Sequence, residues 1–280
     1  MFPTLTLYWT VFRISIAERL AYRADFALGT LMRFLPIVTQ IFLWSAVFQG
    51  MGVGRTASGN SNGLIAGYSY HDFIAYYLLA MLGRAFSSMP GLAGGIARDI
   101  RDGTVKKYLL QPVDMLGFLL CNRVAHKLVY YGIALAPFGL VFFLCRSFFP
   151  GAPSSTTFAA FILSLVLTFV LGFFMEAALG MIGFWFLEVS SLLFVFMLVS
   201  FFFSGHMFPI DMLPGCFPAV MRALPFEYLA YFPAAVFLGK IQGTELAVGL
   251  AIQAGWAIAF YICAHVAFHY GVRRYSAYGG

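Results

Sequence analysis

The sequence predicts an all-α membrane protein, in which residues 1–280 form one domain with six transmembrane helices. Of the 280 residues, 61% are hydrophobic and only 10% are charged, and the mean hydropathy is +0.87. Soluble domains are about half apolar and about a quarter charged, so most of this surface must face lipid. Several uncharged segments are also long enough to cross about 30 Å of hydrocarbon, which takes about 20 helical residues.

Residues 1–27 predict an amphipathic helix that lies in the cytoplasmic interface of the membrane. Charged residues interrupt the apolar ones too often for a transmembrane segment, and the pattern is not that of a signal peptide. Tyr8 and Trp9 are expected at the level of the lipid headgroups. The charged positions in this segment are Arg13, Glu18, Arg19, Arg23 and Asp25.

The first two transmembrane helices are predicted on either side of a loop rich in Gly, Ser and Asn, at residues 50–67. The first covers residues 34–54, which carry no charge, and the second covers residues 71–89. Arg84 lies near the end of the second helix. Its guanidinium can extend to the nearby interface, or it can form an ion pair or a substrate contact inside the protein.

The most charged stretch of the chain, residues 97–114, predicts a compact helix on the cytoplasmic side. It lies in a region between transmembrane segments, at residues 91–113. Proline disfavours helical geometry in the residue before it, so the helix is expected to end at Gln111-Pro112.

The four remaining transmembrane helices are predicted from uncharged segments. Arg123 and Lys127 share one helical face just before the third of them, at the cytoplasmic boundary. An external turn at residues 148–157 and a cytoplasmic turn at residues 176–188 connect the third, fourth and fifth helices. The uncharged segments are residues 128–145, 147–175, 189–205 and 246–272.

Residues 206–243 predict short broken helices packed into the outer leaflet. The segment is rich in Phe, Leu, Met and Tyr, yet its prolines prevent one continuous helix. Irregular backbone at membrane depth must be buried in protein or line a cavity. The prolines are Pro209, Pro214, Pro218, Pro225 and Pro233.

The basic residues predict the orientation of the chain in the membrane. With both termini in the cytoplasm, thirteen of the 17 lysines and arginines lie inside and four outside, which agrees with the positive-inside rule. The net charge of +6 is therefore interpreted as basic cytoplasmic loops, with no nucleic-acid partner. The expected location is a bacterial-type inner membrane.

The motifs of several site classes are absent from the sequence. It contains no G-x-x-x-x-G-K-[ST] and no H-E-x-x-H, so no P-loop or zinc-protease site is expected. His265 and His269 share a helical face, but a metal site needs a third ligand, so no metal is expected. The four cysteines show no C-x-x-C pairing and are expected to be small buried residues.

Two segments resemble ABC-2 type transporter permeases. The first is I-R-D-G-T-V-K-K-Y-L-L-Q-P-V-D at residues 100–114, which is similar to the cytoplasmic coupling element of that family. The second is F-P-I-D-M-L-P at residues 208–214, continued by L-P-F-E-Y at 224–228 and F-P-A-A-V-F-L-G at 232–239. It resembles the family's proline-broken external segment. The order of both segments in a six-helix frame extends the resemblance over the whole chain.

The resemblance implies the permease half-unit of an ATP-driven ABC exporter. Such a subunit pairs with itself or with a sister permease, and ABC ATPase subunits on separate chains bind the ATP and Mg. This chain is then not an enzyme and binds no cofactor. We expect Ile100, Val105 and Leu109 to insert into the ATPase, and Gln111-Pro112 to pass its motion to the third transmembrane helix. The coupling set is Asp99, Ile100, Arg101, Asp102, Gly103, Val105, Leu109 and Pro112.

A substrate path and an external gate are expected on the same basis. The apolar composition favours an amphiphilic or lipid-like substrate, although contact with membrane lipid alone would produce the same composition. Lipid-facing aromatic residues are the alternative for the path. The path set is Arg84, Phe194, Met197, Phe201 and Phe202, and the gate set is Pro209, Asp211, Pro214, Pro225 and Glu227.

Two other functions compete with this interpretation. A secondary transporter needs inverted repeats and paired ionisable residues at the midplane, and neither is found in the sequence. A membrane-embedded transferase needs clustered His, Asp or Glu. The candidates for such a cluster are His71 with Asp72 and His206 with Asp211, all of which are expected outside.

Overall fold

The computed structural model describes residues 2–21, 23–50, 64, 67–110, 113–149, 151, 153–186, 188–215 and 217–275. Within these ranges the regular elements are all helices and no β-strand occurs, which confirms the predicted all-α class. The α-helices are α1 (Phe2–Ala21), α2 (Arg23–Gly50), α3 (Tyr70–Ser87), α4 (Leu92–Arg101), α5 (Lys106–Leu110), α6 (Met115–Leu144), α7 (Ser155–Met181), α8 (Ser190–Phe203), α9 (Phe217–Arg222), α10 (Tyr231–Phe237) and α11 (Gly243–Arg274).

Three helical segments of the described chain are long and apolar enough to cross a membrane: Met115–Leu144, Ser155–Phe184 and Gly243–Arg274. Two shorter apolar segments, Phe34–Gly50 and Ser190–Phe203, fall below that length. Membrane-spanning helices are therefore confirmed, whereas the number six stays a prediction.

Two predicted boundaries differ from the structure. The turn predicted to begin at Glu176 is wrong, because α7 continues through Glu176 to Met181 and then tightens into a 3-10 turn at Ile182–Phe184. Ala177, Ala178 and Leu179 favour helix, and no proline interrupts them. The N-terminal helix ends at Ala21 rather than near residue 27, since α2 already begins at Arg23.

Helix α1 packs beside the first half of α6. The Tyr8 hydroxyl occupies the space above Gly117, and the Cys121 thiol lies 3.6 Å from the Tyr8 carbonyl oxygen. Trp9 is exposed and its ring stacks on that of Phe12. This apolar outer surface agrees with the predicted interfacial position, which remains a prediction.

Helix α3 lies in the centre of the fold and is buried along most of its length. It begins with a capping box, in which the Ser69 hydroxyl accepts a hydrogen bond from the Asp72 N–H and Asp72 accepts one from the Ser69 N–H. On the far side of α7, Gln253 of α11 forms buried hydrogen bonds to Ser164 and to Thr168 of α7. These contacts fix α7 between α3 and α11.

Glycines on α7 and in the 3-10 turn that follows it allow close contact with the chain that leaves α3. A side chain on Gly172 would collide with the Ser87 carbonyl, and a Cβ on Gly183 would lie 3.0 Å from the Ala97 Cα. Helix α4 therefore packs backbone to backbone on the end of α7. This contact positions the charged stretch that the sequence singles out.

Candidate functional site

The charged stretch folds as α4 and α5, joined by a tight turn at residues 102–105. Asp99 closes the turn: its carboxylate accepts hydrogen bonds from the Thr104 hydroxyl at 2.8 Å and from Lys107 Nζ at 2.9 Å. Its main-chain oxygen accepts the Val105 N–H at 2.9 Å. Gly103 has a φ of +76°, a left-handed conformation that glycine adopts without strain. The turn thus has a defined shape.

The electrostatics of the turn favour the same arrangement. Partial burial lowers the pKa of Lys107, but the hydrogen bond to Asp99 and electrostatic interactions with Tyr108 and Asp99 outweigh it, so the pKa lies above its usual value. The Lys107 ammonium stays charged at neutral pH, and its ion pair with Asp99 connects α5 to α4 across the turn.

Two of the three predicted apolar anchors are buried in the protein itself. Ile100 is 4% exposed and Val105 is fully buried, in a cluster with residues of α6 and α7. Their predicted insertion into a partner is therefore wrong, because α4 uses its apolar face to pack on this chain. Leu109 is exposed, and Leu110, which was not in the predicted set, is 83% exposed. Pro112, with Gln111, lies outside the described residues.

The connection between α7 and α8 lies beside this turn. Arg101 Nη1 lies 3.7 Å from Glu188 Oε2, and Arg101 Nε also pairs with Asp102 at 3.2 Å. Hydrogen bonds from Ser190 lower the pKa of the exposed Glu188 carboxyl, which favours its charged form. Trp185 and Phe186 are exposed in the same connection. Two loops far apart in sequence therefore contribute to one surface.

We define the α4–α5 surface as the exposed part of this region. It combines both signs of charge with exposed apolar side chains, some of them from the α7–α8 connection. Its members are Arg98, Arg101, Asp102, Lys106, Lys107, Leu109, Leu110, Trp185, Phe186 and Glu188.

Two basic residues of α6 hold the connection between α3 and α4. Lys127 is buried, and its Nζ donates hydrogen bonds to the carbonyl oxygens of Ala85 and, at 2.8 Å, Ser88. Arg123 Nη2 donates to the Pro90 carbonyl oxygen at 3.0 Å. The two side chains use one face of α6, as their spacing predicts.

A cavity of about 440 Å³, the α4-side cavity, lies where the ends of α3 and α7 meet the start of α4 and α8. Glu176 lines it, and its Oε1 accepts the Met89 N–H at 3.2 Å. The lining residues are Arg84, Ser87, Ser88, Met89, Pro90, Gly91, Ala93, Gly94, Gly172, Met175, Glu176, Leu193, Phe196, Met197, Ser200 and Leu229.

A second cavity of about 500 Å³, the α2-side cavity, lies between α2, α3 and the residues around the end of α8. Arg84 lines both cavities, and its guanidinium lies 5.7 Å from the centre of the Phe201 ring. The lining residues are Pro36, Ile37, Gln40, Tyr77, Met81, Arg84, Ala85, Ser88, Phe201, His206 and Met207.

The structure places only part of the predicted path set at these cavities. Arg84, Met197 and Phe201 line one or both of them. Phe194 and Phe202 line neither, and both are exposed on the surface of α8. The path residues therefore divide between a cavity wall and an outer surface.

Asp211 is the centre of the proline-broken segment. Its carboxylate accepts hydrogen bonds from the hydroxyls of Tyr68 at 2.9 Å and Tyr231 at 2.5 Å, and from Arg222 at 3.3 Å. Pro209 precedes a 3-10 turn at Ile210–Met212. Pro214 lies between that turn and α9, and Pro225 lies just before a second 3-10 turn at Glu227–Leu229. The prolines interrupt the helix as predicted.

The segment is also tied to α3. The hydroxyls of Tyr76 and Tyr77 donate to the carbonyl oxygens of Gly205 and Met207, and Lys240 Nζ lies 3.8 Å from Asp72 Oδ2. These contacts give Asp72 and Asp211 structural partners, which leaves the transferase hypothesis without a free acidic pair.

Glu227 is the buried acid of this segment, with 4% of its surface exposed. Burial raises the pKa of its carboxyl to about 7, although the nearby Arg222 acts in the opposite direction. Among the described residues its Oε2 has no hydrogen-bond partner. It lines a cavity of about 340 Å³ with Asp211 and Lys240.

The described part of the chain contains no cluster of three or more His, Cys, Asp or Glu residues that could hold a metal ion. Cys121, Cys145 and Cys263 are free thiols, and Cys263 is exposed rather than buried as expected. Cys216 lies outside the described residues.

The comparison with protein families agrees with the resemblance that residues 100–114 and 208–239 show. The model of the ABC-2 family transporter protein matches residues 34–279, which include α3 to α11 and the proline-broken segment. No curated protein matches the chain. The matched region is far more than half of the sequence, so the chain belongs to the ABC-2 family of transporter proteins and is a membrane permease subunit.

Proposed function

We propose that this chain is the permease subunit of an ATP-driven ABC exporter that moves an amphiphilic or lipid-like substrate outward. Separate ATPase subunits bind the ATP and Mg and dock on the α4–α5 surface. Membership of the ABC-2 family implies ABC ATPase partners in general, and the proposal assigns them a place on this chain.

The observation that carries the proposal is the two-sided structure of the α4–α5 region. Its outer side offers mixed charges and the exposed Leu109 and Leu110, which suit the groove of a protein partner. Its inner side packs through Ile100 and Val105 on the core. A force applied to the outer side therefore reaches α6 and α7 without passing through a flexible loop.

The same region borders the α4-side cavity. Pro90, Gly91, Ala93 and Gly94, at the start of α4, are part of the cavity wall. A displacement of α4 by the ATPase therefore changes the shape of the cavity. We propose that substrate enters here from the cytoplasm or the inner leaflet and leaves near residues 206–243, where Asp211 and Glu227 form part of the gate.

A second permease subunit completes the transporter in this proposal. Helices α2 and α8 carry exposed apolar side chains that suit either a second permease or membrane lipid. A copy of this chain would give a homodimer and a sister permease a heterodimer. The exposed positions include Leu35, Phe42 and Leu43 on α2 and Phe194, Val195 and Phe202 on α8.

The proposed location is a bacterial-type inner membrane with both termini in the cytoplasm. This orientation puts the α4–α5 surface, with Arg98, Arg101, Lys106 and Lys107, on the ATPase side. It rests on the uneven distribution of basic residues between the two sides of the membrane.

Co-purification with the ATPase tests the docking site. The permease is co-expressed with a candidate ABC ATPase that the wild-type chain stimulates, and Leu109→Asp with Leu110→Asp is expected to abolish co-purification and ATPase stimulation. Phe217→Asp, at another exposed apolar position, which lies in the proline-broken segment, is the control. Normal co-purification of the double variant would contradict the docking site.

A further inference from the structure

The cavity of about 340 Å³ that Glu227 lines, the α11-side cavity, lies between the proline-broken segment and the first turns of α11. Its wall on the side of that segment includes the ionisable residues Arg222, Glu227 and Lys240. Its wall on the side of α11 includes Val248 and Ile252, which are 56% and 41% exposed. Because α11 is long and apolar enough to cross a membrane, this apolar wall suits the acyl chains of a lipid.

The charged wall contains a buried acid whose hydrogen bonding is incomplete. Glu227 is 4% exposed, and within the described residues its Oε2 has no hydrogen-bond partner, although Tyr228 also interacts with the carboxyl. A buried polar oxygen without a donor costs free energy. The last torsion of a glutamate side chain is soft, so this oxygen can turn into the cavity that Glu227 lines. The carboxyl therefore suits a ligand that donates a hydrogen bond.

The main chain beside Glu227 is fixed by α7 and α11. Thr168 and Gln253 are fully buried, and both donate hydrogen bonds to the Tyr228 carbonyl oxygen, at 2.8 Å and 3.2 Å. The Tyr228 hydroxyl donates to the Arg222 carbonyl oxygen at 3.3 Å. Glu227 therefore cannot turn outward to hydrate its carboxyl unless buried hydrogen bonds break.

The two basic residues of the cavity are paired with acids other than Glu227. Arg222 Nη2 lies 3.3 Å from Asp211 Oδ1. Lys240 Nζ lies 3.8 Å from Asp72 Oδ2 and donates to the Gly67 carbonyl oxygen at 2.9 Å. Each positive charge thus has its own negative partner. A ligand cation beside Glu227 meets balanced ion pairs and not two uncompensated positive charges.

Arg222 can still donate to an oxygen of a ligand. Its side chain is 61% exposed, and within the described residues it forms its hydrogen bond to Asp211 through Nη2. A guanidinium has five N–H groups, so Nε and Nη1 retain donors. The same wall therefore offers an acceptor on Glu227 and donors on Arg222, which together suit a headgroup that carries both an ammonium and a phosphate.

We propose that the α11-side cavity binds a phospholipid whose headgroup carries a primary ammonium, with the ammonium on Glu227, the phosphate on Arg222 and the acyl chains along Val248 and Ile252. A primary ammonium supplies N–H donors, and hydrogen bonds between charged groups are the strong ones. A divalent metal is a poorer fit, since the described residues contain no cluster of three or more potential ligands. In the proposed orientation this lipid belongs to the outer leaflet, and it connects the proline-broken segment to α11.

Native mass spectrometry of the purified, delipidated permease tests the lipid preference without any ATPase. The permease in detergent is titrated with phosphatidylethanolamine, phosphatidylcholine and phosphatidylglycerol of one acyl composition. The first two share the phosphate and differ in the N–H donors, and the third has no ammonium. We expect phosphatidylethanolamine to bind at least about 10-fold more tightly than either of the others, which corresponds to about 1.4 kcal/mol. O-phosphoethanolamine, the soluble headgroup without acyl chains, is expected to bind more weakly than the lipid.

Variants identify the residues responsible. Glu227→Gln keeps the size of the side chain and is expected to reduce the preference for phosphatidylethanolamine over phosphatidylcholine to about 2-fold or less, because it removes the charge. Arg222→Gln should weaken both lipids alike, because both carry the phosphate. Glu18→Gln, at an exposed carboxyl of α1 that does not line the cavity, is the control and should keep the wild-type preference.

The pH dependence of the wild type gives a second test that needs no variant. Burial raises the pKa of the Glu227 carboxyl to about 7, so its charged form increases between pH 6 and pH 8. The lipid amine stays protonated over this range, as a lysine amine does. The preference for phosphatidylethanolamine over phosphatidylcholine should therefore rise with pH. The other ionisable residues of this cavity are Asp211, Arg222, Tyr228, Tyr231, Lys240 and Glu245.

Three results would overturn the inference. These are equal binding of phosphatidylethanolamine and phosphatidylcholine, a preference that Glu227→Gln leaves unchanged, and binding of O-phosphoethanolamine as tight as that of the lipid, which would indicate a soluble ligand. If Glu227→Gln fails to yield folded protein, a wild-type preference that is the same at pH 6 and pH 8 overturns it instead. ATPase stimulation in the assembled transporter is a separate measurement, so its absence would contradict the proposed function and leave the lipid site unaffected.

Discussion

Gly180 of α7 lies directly against Ala93 of α4, so closely that a Cβ on Gly180 would be 2.8 Å from the Ala93 carbonyl oxygen. It would lie equally close to the Cβ of Ile96. Packed protein interiors transmit strain because they have few voids. Helix α4 and the end of α7 are therefore expected to move together when a partner displaces the α4–α5 surface.

Gly180→Ala is predicted to destabilise the permease by about 1–3 kcal/mol, because the added methyl group forces α4 away from α7. It should also reduce ATPase stimulation. Thermal unfolding in detergent and the ATPase rate of the assembled transporter measure the two effects. Gly139→Ala in α6 is the control: its added methyl meets no atom of the described residues within 4 Å, and alanine is the better helix former by about 1 kcal/mol. Equal stability of the two variants would contradict the close packing.

Asp99→Ala is predicted to loosen the turn between α4 and α5. Thr104 and Lys107 lose their shared acceptor, while global stability should change by less than about 1 kcal/mol because the ion pair is partly exposed to solvent. Hydrogen exchange of the amides of residues 102–107 should become faster. Asp102→Ala, which removes only the exposed pair with Arg101, should leave that exchange near the wild-type rate.

Lys127→Met is predicted to destabilise the protein by about 2 kcal/mol or more. The buried carbonyl oxygens of Ala85 and Ser88 would lose their donor, and each unsatisfied buried group costs about 1–3 kcal/mol. The shift in melting temperature measures the loss. Lys106→Met, at an exposed position of α5, should be close to neutral, so similar shifts for the two variants would count against the role of Lys127.

Glu227 is predicted to make stability depend on pH. Its ordinary pKa of 4.5 rises to about 7 in the fold because of burial, so the folded state favours the protonated acid. The stabilising contribution of the Glu227 carboxyl to the free energy of unfolding is fully present below about pH 4.5 and is lost as the pH rises through 7. The loss is on the order of 3 kcal/mol, from about 1.4 kcal/mol per pKa unit. Arg222, Asp211 and Tyr228 are the ionisable groups that act on this carboxyl.

The variant Glu227→Gln tests this dependence. It should match the wild type near pH 5 and exceed its melting temperature near pH 8, because glutamine has no proton to lose. Glu245→Gln, an exposed carboxyl at the same cavity, is the control. The prediction is contradicted if the difference in melting temperature between Glu227→Gln and the wild type is the same at pH 5 and at pH 8.

The sequence predicts the elements of this fold better than their contacts. Long uncharged segments and proline spacing are local patterns, so they locate α6, α7, α11 and the broken external segment. Ile100 and Val105 show where local patterns fail. Apolar residues in a charged helix are compatible with an exposed anchor and with a buried face. They are buried here because the glycines near the end of α7 let α4 pack closely on it.

The candidate site depends on long-range contacts that no local pattern contains. The pairing of Arg101 with Glu188 joins the end of α4 to the α7–α8 connection, although α5, α6 and α7 lie between them in the sequence. Between Glu176 and Glu188 the stretch is almost wholly apolar, so no local pattern marks it as part of this surface. Arg84 was found from its charge alone, whereas its position between two cavities follows only from the packing of α2, α3 and α8.

The hydrogen bonds from α6 to the connection between α3 and α4 determine which positions of this protein tolerate substitution. Lys127 and Arg123 bind main-chain oxygens of Ala85, Ser88 and Pro90, and every amino acid supplies such an oxygen. Substitutions at the half-buried Ser88 and the exposed Pro90 can therefore occur without loss of these hydrogen bonds, whereas the buried Ala85 tolerates only small side chains and the two donors on α6 cannot be replaced. A saturation mutagenesis library should show this contrast as tolerance at Ser88 and Pro90 and intolerance at Arg123 and Lys127.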